Sequence, residues 1–76
     1  MFSKESFGQR ISQLRKEHNE TQPTLAELLG VGKSQISEIE NGNHTTSAER
    51  IVLICEHYHV SADYLLGLTD NPEPRW

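Results

Sequence analysis

Apolar residues recur along this chain at helical spacing, and short polar segments separate one run from the next. In the first run, Phe7, Ile11 and Leu14 lie three or four positions apart, with polar residues between them. This spacing places the three side chains on one face of a helix, so the pattern predicts an amphipathic helix over about residues 4–18.

The next two helices are predicted to be short and to be joined by a tight turn. Thr21 can cap the second helix, and Pro23 is tolerated in its first turn because the backbone N–H groups there have no helical partner. Gly30 can adopt the positive φ that ends this helix and turns the chain sharply. A third helix is then expected from Lys33 to about Glu40.

Two further helices complete the predicted fold. Thr46 or Ser47 can cap the fourth, and Thr46 with Glu49 has the spacing of a capping box. Ser61 can cap a last short helix over residues 62–66. The apolar positions of the fourth helix are Ala48, Ile51, Val52, Ile54 and Cys55. Five helices and no strand predict an all-α fold.

Length and composition indicate a single domain with a small hydrophobic core. A chain of 76 residues buries only about 60% of the surface that its unfolded form exposes. We expect the domain to span residues 3–68 and the proline-containing residues 69–76 to form a C-terminal tail. The single cysteine excludes an internal disulfide, and no run is apolar enough for a signal segment or a bilayer span. A cytoplasmic protein is expected.

The formal charge of −4 argues against a nucleic-acid binder, because cationic side chains that neutralise phosphates usually supply much of the affinity. Net charge averages over the whole surface, however, whereas DNA contacts one face only. The charge therefore weakens a nucleic-acid hypothesis without excluding it.

The segment over residues 22–41 predicts a helix-turn-helix motif. Its apolar residues are expected to point inward and to set the angle between the two helices, and Ala26 is small because the helices cross closely there. Such a motif leaves its second helix protruding, and a helix of that diameter fits the major groove of B-form DNA. The inward positions are Leu25, Leu29, Val31, Ile36 and Ile39.

Four short motifs occur in order along the chain: LR at 14–15, Q..LAELLGV at 22–31, IS.IENG at 36–42 and VSADYLLGLTD at 60–70. On these residues the chain resembles the phage-repressor and Cro-like (lambda-repressor-like) helix-turn-helix family. The resemblance implies a compact five-helix fold in which helices 2 and 3 form the motif. It also implies binding of double-stranded DNA as a homodimer on a palindromic operator, with repression or sometimes activation of transcription.

The same resemblance assigns candidate contact residues. It places the start of the recognition helix at Lys33 and implies that Gln22 clamps a phosphate beside a helix N-terminus. For Glu38, acceptance from a cytosine amino group and simple solvation near phosphates stay open as alternatives. Glu40 resembles an acidic residue that pairs with an arginine of the first helix, here Arg15. The other implied contacts are Ser34, Gln35 and Ser37 in the helix, and Asn43, His44 and Thr45 in the following loop, where relatives usually carry basic residues.

The sequence thus predicts a sequence-specific transcriptional regulator, most simply a repressor, with no enzymatic activity. The alternative is a protein-interaction module, antitoxin-like or adaptor-like, that keeps the fold and binds DNA weakly or not at all. No metal or cofactor is expected: Cys55 and His59 lie four apart on one helix, but a metal site needs three or four ligands. No catalytic residues, small-molecule ligand or membrane contact are expected either.

Overall fold

A computed structural model describes residues 1–76, the whole chain. It contains five helices and no strand, which confirms the predicted all-α class. The helices are α1 (Lys4–Glu17), α2 (Gln22–Leu29), α3 (Lys33–Glu40), α4 (Ala48–Tyr58) and α5 (Ala62–Leu65). The first and last helices end one residue earlier than predicted, because His18 and Leu66 serve as the flanking C-cap residues.

Side-chain oxygens close the N-termini of four helices. Thr21 accepts a hydrogen bond from the third residue of α2 at 3.3 Å, and Ser3, Ser47 and Ser61 do the same for α1, α4 and α5. Ser47, rather than Thr46, is therefore the cap of α4. The capping box between Thr46 and Glu49 does not form, because Thr46 lies one residue outside the cap position.

One apolar core lies between all five helices. α3 packs against both α1 and α2, while α4 packs against α2 and α5. Four of the five positions predicted to point inward from the motif are buried, and the fifth, Val31, is half-buried against the same core. The buried residues are Phe7, Ile11, Leu14, Leu25, Ala26, Leu29, Ile36, Ile39, Ile54, Cys55, Tyr58, Val60 and Leu65.

A glycine sets the distance between α1 and α3. Gly8 is buried in α1, and a Cβ built on it would lie 2.1 Å from the carbonyl oxygen of Ile39 and 2.9 Å from that of Glu40. Both neighbours are backbone atoms, so neither can rotate away. The absent side chain lets α1 support the C-terminal end of α3 directly.

The residues after α5 fold back onto the domain. Arg10 donates to the carbonyl oxygens of Tyr64 and Thr69, the latter at 2.8 Å, and pairs with Asp70 at 2.9 Å. The backbone N–H of Ser61 donates to the carbonyl oxygen of Pro72 at 3.0 Å. Residues 69–72 are thus held against α1 and α5. The boundary at residue 68 stays a prediction.

Candidate nucleic-acid interface

The turn between α2 and α3 fixes how α3 is presented. Gly30 ends α2 with φ 71°, a conformation that costs glycine nothing and other residues more. The N–H of Val31 then bonds back to the carbonyl oxygen of Ala26 at 3.0 Å, and Gly32 precedes the first residue of α3. Because Ile36 and Ile39 are buried, the opposite face of α3 points away from the core.

That outer face carries the predicted base-contacting residues. At about 100° per residue, their order from one flank of α3 to the other is Lys33, Ser37, Ser34, Glu38 and Gln35. Lys33, Ser34 and Gln35 are exposed, and the other two are partly exposed. Of the five, only the carboxylate of Glu38 has a polar side-chain partner within the chain. The other four therefore have free donors and acceptors.

The carboxylate of Glu38 is engaged by the loop after α3. Its Oε2 accepts a hydrogen bond from the Asn43 amide at 3.4 Å and lies 3.6 Å from Nε2 of His44. This arrangement turns the acid toward one flank of α3 and ties the loop to the helix. The Glu38 side chain is still 46% exposed, so a base contact and simple solvation both stay predictions.

Gln22, at the start of α2, lies on the other flank. Its side-chain amide donates to Oε1 of Glu40 at 3.1 Å, which uses one of the two amide protons. The second proton and the side-chain carbonyl oxygen remain free. Glu40 thereby orients the amide for which the family resemblance implies a phosphate contact.

Glu40 and Arg15 form the ion pair between α1 and α3 that the family resemblance implies. Nε of Arg15 lies 2.7 Å from Oε2 of Glu40, and a terminal nitrogen lies 3.0 Å from Oε1, so the pairing is bidentate. Only 11% of the Arg15 side chain and 6% of the Glu40 side chain are exposed. Burial by itself raises the pKa of the Glu40 carboxyl. The hydrogen bonds from Arg15 and Gln22 and the charge of Arg15 outweigh burial, and the pKa lies below its ordinary value.

A second acid, Glu20, extends this network to α4. Its carboxylate oxygens lie 2.7 Å from the Tyr58 hydroxyl and 2.7 Å from Nε2 of His57, while its backbone carbonyl accepts from Arg15 at 2.8 Å. Burial by itself raises the pKa of the Glu20 carboxyl, but the hydrogen bonds from Tyr58 and His57 lower it by more, so the net shift is downward. Burial and the bond to Glu20 raise the pKa of Tyr58. The segment before α2 is thus held to both α1 and α4.

A cleft of about 430 Å³ separates α3 from the following loop and the first turns of α4. Ser34, Gln35 and Glu38 line one wall, and the loop residues His44 and Thr45 line the other. Asn43, His44 and Thr45 are all exposed, as their assignment to a contact surface requires. The floor residues include Val31, Ile39 and Arg50.

Sequence reasoning missed three residues that shape this surface. Gly8 could have been noticed as a glycine within an amphipathic pattern, which usually has a packing reason. Arg50 could have been noticed as the cation nearest the uncharged loop. Glu20 gave no signal, because its partners are 37 and 38 residues away in sequence.

The short capped helix α2 and the protruding helix α3, joined by a glycine turn, define this molecule as a helix-turn-helix protein of the phage-repressor type. A family model described as "Helix-turn-helix domain" matches residues 8–71. The chain belongs to this family, and the resemblance found in its sequence motifs is confirmed.

Relatives and solved structures agree with this assignment. The chain is 42% identical over 69 residues to the uncharacterized HTH-type transcriptional regulator YobD of Bacillus subtilis, covering 91% of this chain and 62% of YobD. The P22 c2 repressor in complex with a synthetic operator is 30% identical with a TM-score of 0.73, covering 79% of this chain and 91% of that one. A third similar protein is SinR of Bacillus subtilis, described as the master regulator for biofilm formation. In the crystal structure of SinR in complex with DNA, the matched chain is 39% identical to this one. Its TM-score is 0.69, and the match covers 79% of this chain and 97% of that one.

The match therefore spans less than two thirds of YobD. No helix of the structure combines the length and the apolar content that a bilayer crossing requires.

Proposed function

We propose that this chain is a sequence-specific DNA-binding transcriptional regulator that acts as a homodimer on an inverted-repeat operator, most simply as a repressor. The observation that carries the proposal is the outer face of α3, where Lys33, Ser34, Gln35 and Ser37 have no side-chain partner within the chain. A helix presented in this way can enter the major groove, where base edges offer the donors and acceptors that such side chains bind. The proposal assigns the chain no catalytic step.

Within this proposal the two ends of the motif have different tasks. Lys33 suits the O6 and N7 acceptors of guanine, and the Ser34 hydroxyl can either donate or accept. Gln22 contacts a phosphate through the amide proton that Glu40 leaves free, so it sets the position of the motif without reading sequence.

The first experiment is selection of binding sites from a random duplex library with the purified chain near physiological salt. We expect enrichment of an inverted repeat whose half-sites lie about 10–10.5 base pairs apart, or a multiple of that spacing. A chain that is helical by circular dichroism but enriches no sequence contradicts the proposal.

Substitutions then distinguish residues that contact base edges from residues that position the motif on the DNA backbone. Lys33→Ala or Ser34→Ala should relax discrimination at one or two base pairs, by about 1–3 kcal/mol for a real base contact. Gln22→Ala should weaken binding to all sequences alike. Arg75→Ala removes one positive charge from a separate cleft beside α5 and is the matched control for Lys33→Ala. An unchanged base preference in the Lys33 and Ser34 variants refutes their assignment.

A second candidate function is supported by the loop after α3. Its residues Asn43 and Thr45 are uncharged, and its neighbour Glu38 adds a negative charge beside the proposed contact surface. These features favour a protein-interaction module, antitoxin-like or adaptor-like, that keeps the fold. A steep fall of DNA affinity with added salt argues against this alternative, because the slope counts phosphate contacts.

A further inference from the structure

The two flanks of α3 are unequal in structure, although a helix in the major groove lies between two phosphate backbones. Glu40 and Glu38 are two residues apart, so they point about 200° apart around the helix axis. Glu40 faces the flank that carries Gln22, and Glu38 faces the cleft between α3 and α4. The contacts that the family resemblance assigns to the cleft flank, Asn43, His44 and Thr45, include no lysine or arginine.

Arg50 is the one lysine or arginine among the residues that line the cleft. It is half-buried in the first turns of α4, and its Nε donates to the carbonyl oxygen of Leu29 at 3.3 Å. No carboxylate pairs with it, and neither terminal guanidinium nitrogen makes a hydrogen bond within the chain.

The bond to Leu29 matters because it fixes the stem of the arginine against the end of α2. A guanidinium held in this way loses little side-chain freedom when its two free nitrogens bind a phosphate. The carboxylate of Glu38, across the same cleft, is already engaged by Asn43 and faces His44. Arg50 is thus the available cation on this flank.

We propose that Arg50 binds a DNA backbone phosphate on the cleft side of α3, as the counterpart of Gln22 on the opposite side. The inference rests on the proposed DNA binding and adds a positioning contact to it. A phosphate seated there would also approach the hydroxyls of Thr45 and Thr46, which line the same cleft.

The test compares three variants of the full chain on the selected operator. Arg50→Gln keeps an amide donor at the same position along the side chain as Nε, so it can preserve the bond to Leu29 while removing the charge. Arg50→Lys keeps the charge. Arg75→Ala again serves as the control for loss of one positive charge elsewhere.

The readout is the slope of log K against log salt concentration, measured by fluorescence anisotropy, with thermal melting of each variant alongside. Each phosphate contact contributes about 0.9 to this slope, so Arg50→Gln should make it shallower by about 1.8 for a homodimer. Arg50→Lys and Arg75→Ala should keep the slope of the unmodified chain.

Each other outcome overturns the inference. An unchanged slope for Arg50→Gln, with or without a lower melting temperature, would show that Arg50 only holds α4 against α2 and contacts no phosphate. Equal loss of slope in Arg75→Ala makes the effect one of overall charge. If the unmodified chain binds no duplex, the proposed function fails and the inference fails with it. If it binds normally and only the slope prediction fails, the proposed function stands.

Discussion

Replacing Gly8 by alanine tests whether α1 supports α3 as closely as the structure indicates. In an unconstrained helix, alanine is more favourable than glycine by about 1 kcal/mol. At Gly8, however, the new Cβ would lie 2.1 Å from the carbonyl oxygen of Ile39, far inside van der Waals contact. Because both obstructing atoms belong to the backbone of α3, the helices themselves must separate.

Forced separation of packed elements costs about 1–3 kcal/mol, and this contact is severe enough to place the cost at the upper end. After the helix-propensity gain is subtracted, we expect Gly8→Ala to lower the free energy of unfolding by about 2 kcal/mol. For a domain of this size that loss lowers the melting temperature by about 8–16 °C. Urea titration followed by circular dichroism measures the free energy, and calorimetry measures the melting temperature.

Gly32→Ala is the matched control. Gly32 has φ −82°, and a Cβ there would meet only the Ser34 hydroxyl, at 3.8 Å. Its cost should stay below about 1 kcal/mol, the loss of a favourable N-cap residue. A Gly8→Ala chain as stable as the unmodified one, or more stable, would refute the close crossing, because propensity alone predicts that sign.

Three further predictions concern the buried network and the motif. Arg15→Met leaves Glu40 buried without its partner and should lower the free energy of unfolding, measured in urea, by about 3–5 kcal/mol. Adding Glu40→Leu should restore most of that loss. A small effect of the single substitution would contradict a buried ion pair. Since the pKa values of Glu20 and Glu40 are lowered by folding, their stabilisation is complete above the ordinary value of 4.5 and is lost as pH falls through the folded-state values. Tyr58→Phe removes a donor to Glu20, so the stability of this variant should fall less steeply from pH 6 to pH 3; an equal slope argues against the hydrogen bond. Ala26→Leu should cost about 1–3 kcal/mol by overpacking the helix crossing, and a folded variant of unchanged stability would refute that argument.

Local signals explain why the helices could be predicted from sequence. Thr21 and Ser61 cap the helices that follow them, and Gly30 ends α2, because each of these effects depends on residues within a few positions. The periodicity of Phe7 and Ile11 likewise needs only one helix to be interpreted. The family motifs locate the start of α3, and helix geometry then gives the residues that share its outer face.

The contacts of the site depend on distant residues, and the sequence could not supply them. No spacing in the sequence predicts that the path of the loop brings Asn43 and His44 to the carboxylate of Glu38. Arg50 acquires its place in the cleft only because α4 packs against α2, which brings it to the carbonyl oxygen of Leu29. Such contacts depend on how helices pack rather than on any spacing along the chain.

The proposed DNA binding by a chain of formal charge −4 depends on how its charges are distributed. Glu40 is paired with Arg15, and Asp70 with Arg10, so neither acid adds an unpaired negative charge. Because Arg10 and Arg15 are used in these pairs, the proposed contact surface has few cations, chiefly Lys33 and Arg50. Because phosphate neutralisation supplies essentially all non-specific affinity, such a surface should bind random DNA weakly. In the proposed complex, sequence discrimination comes from the free polar groups of α3, which bind only where the base edges match them.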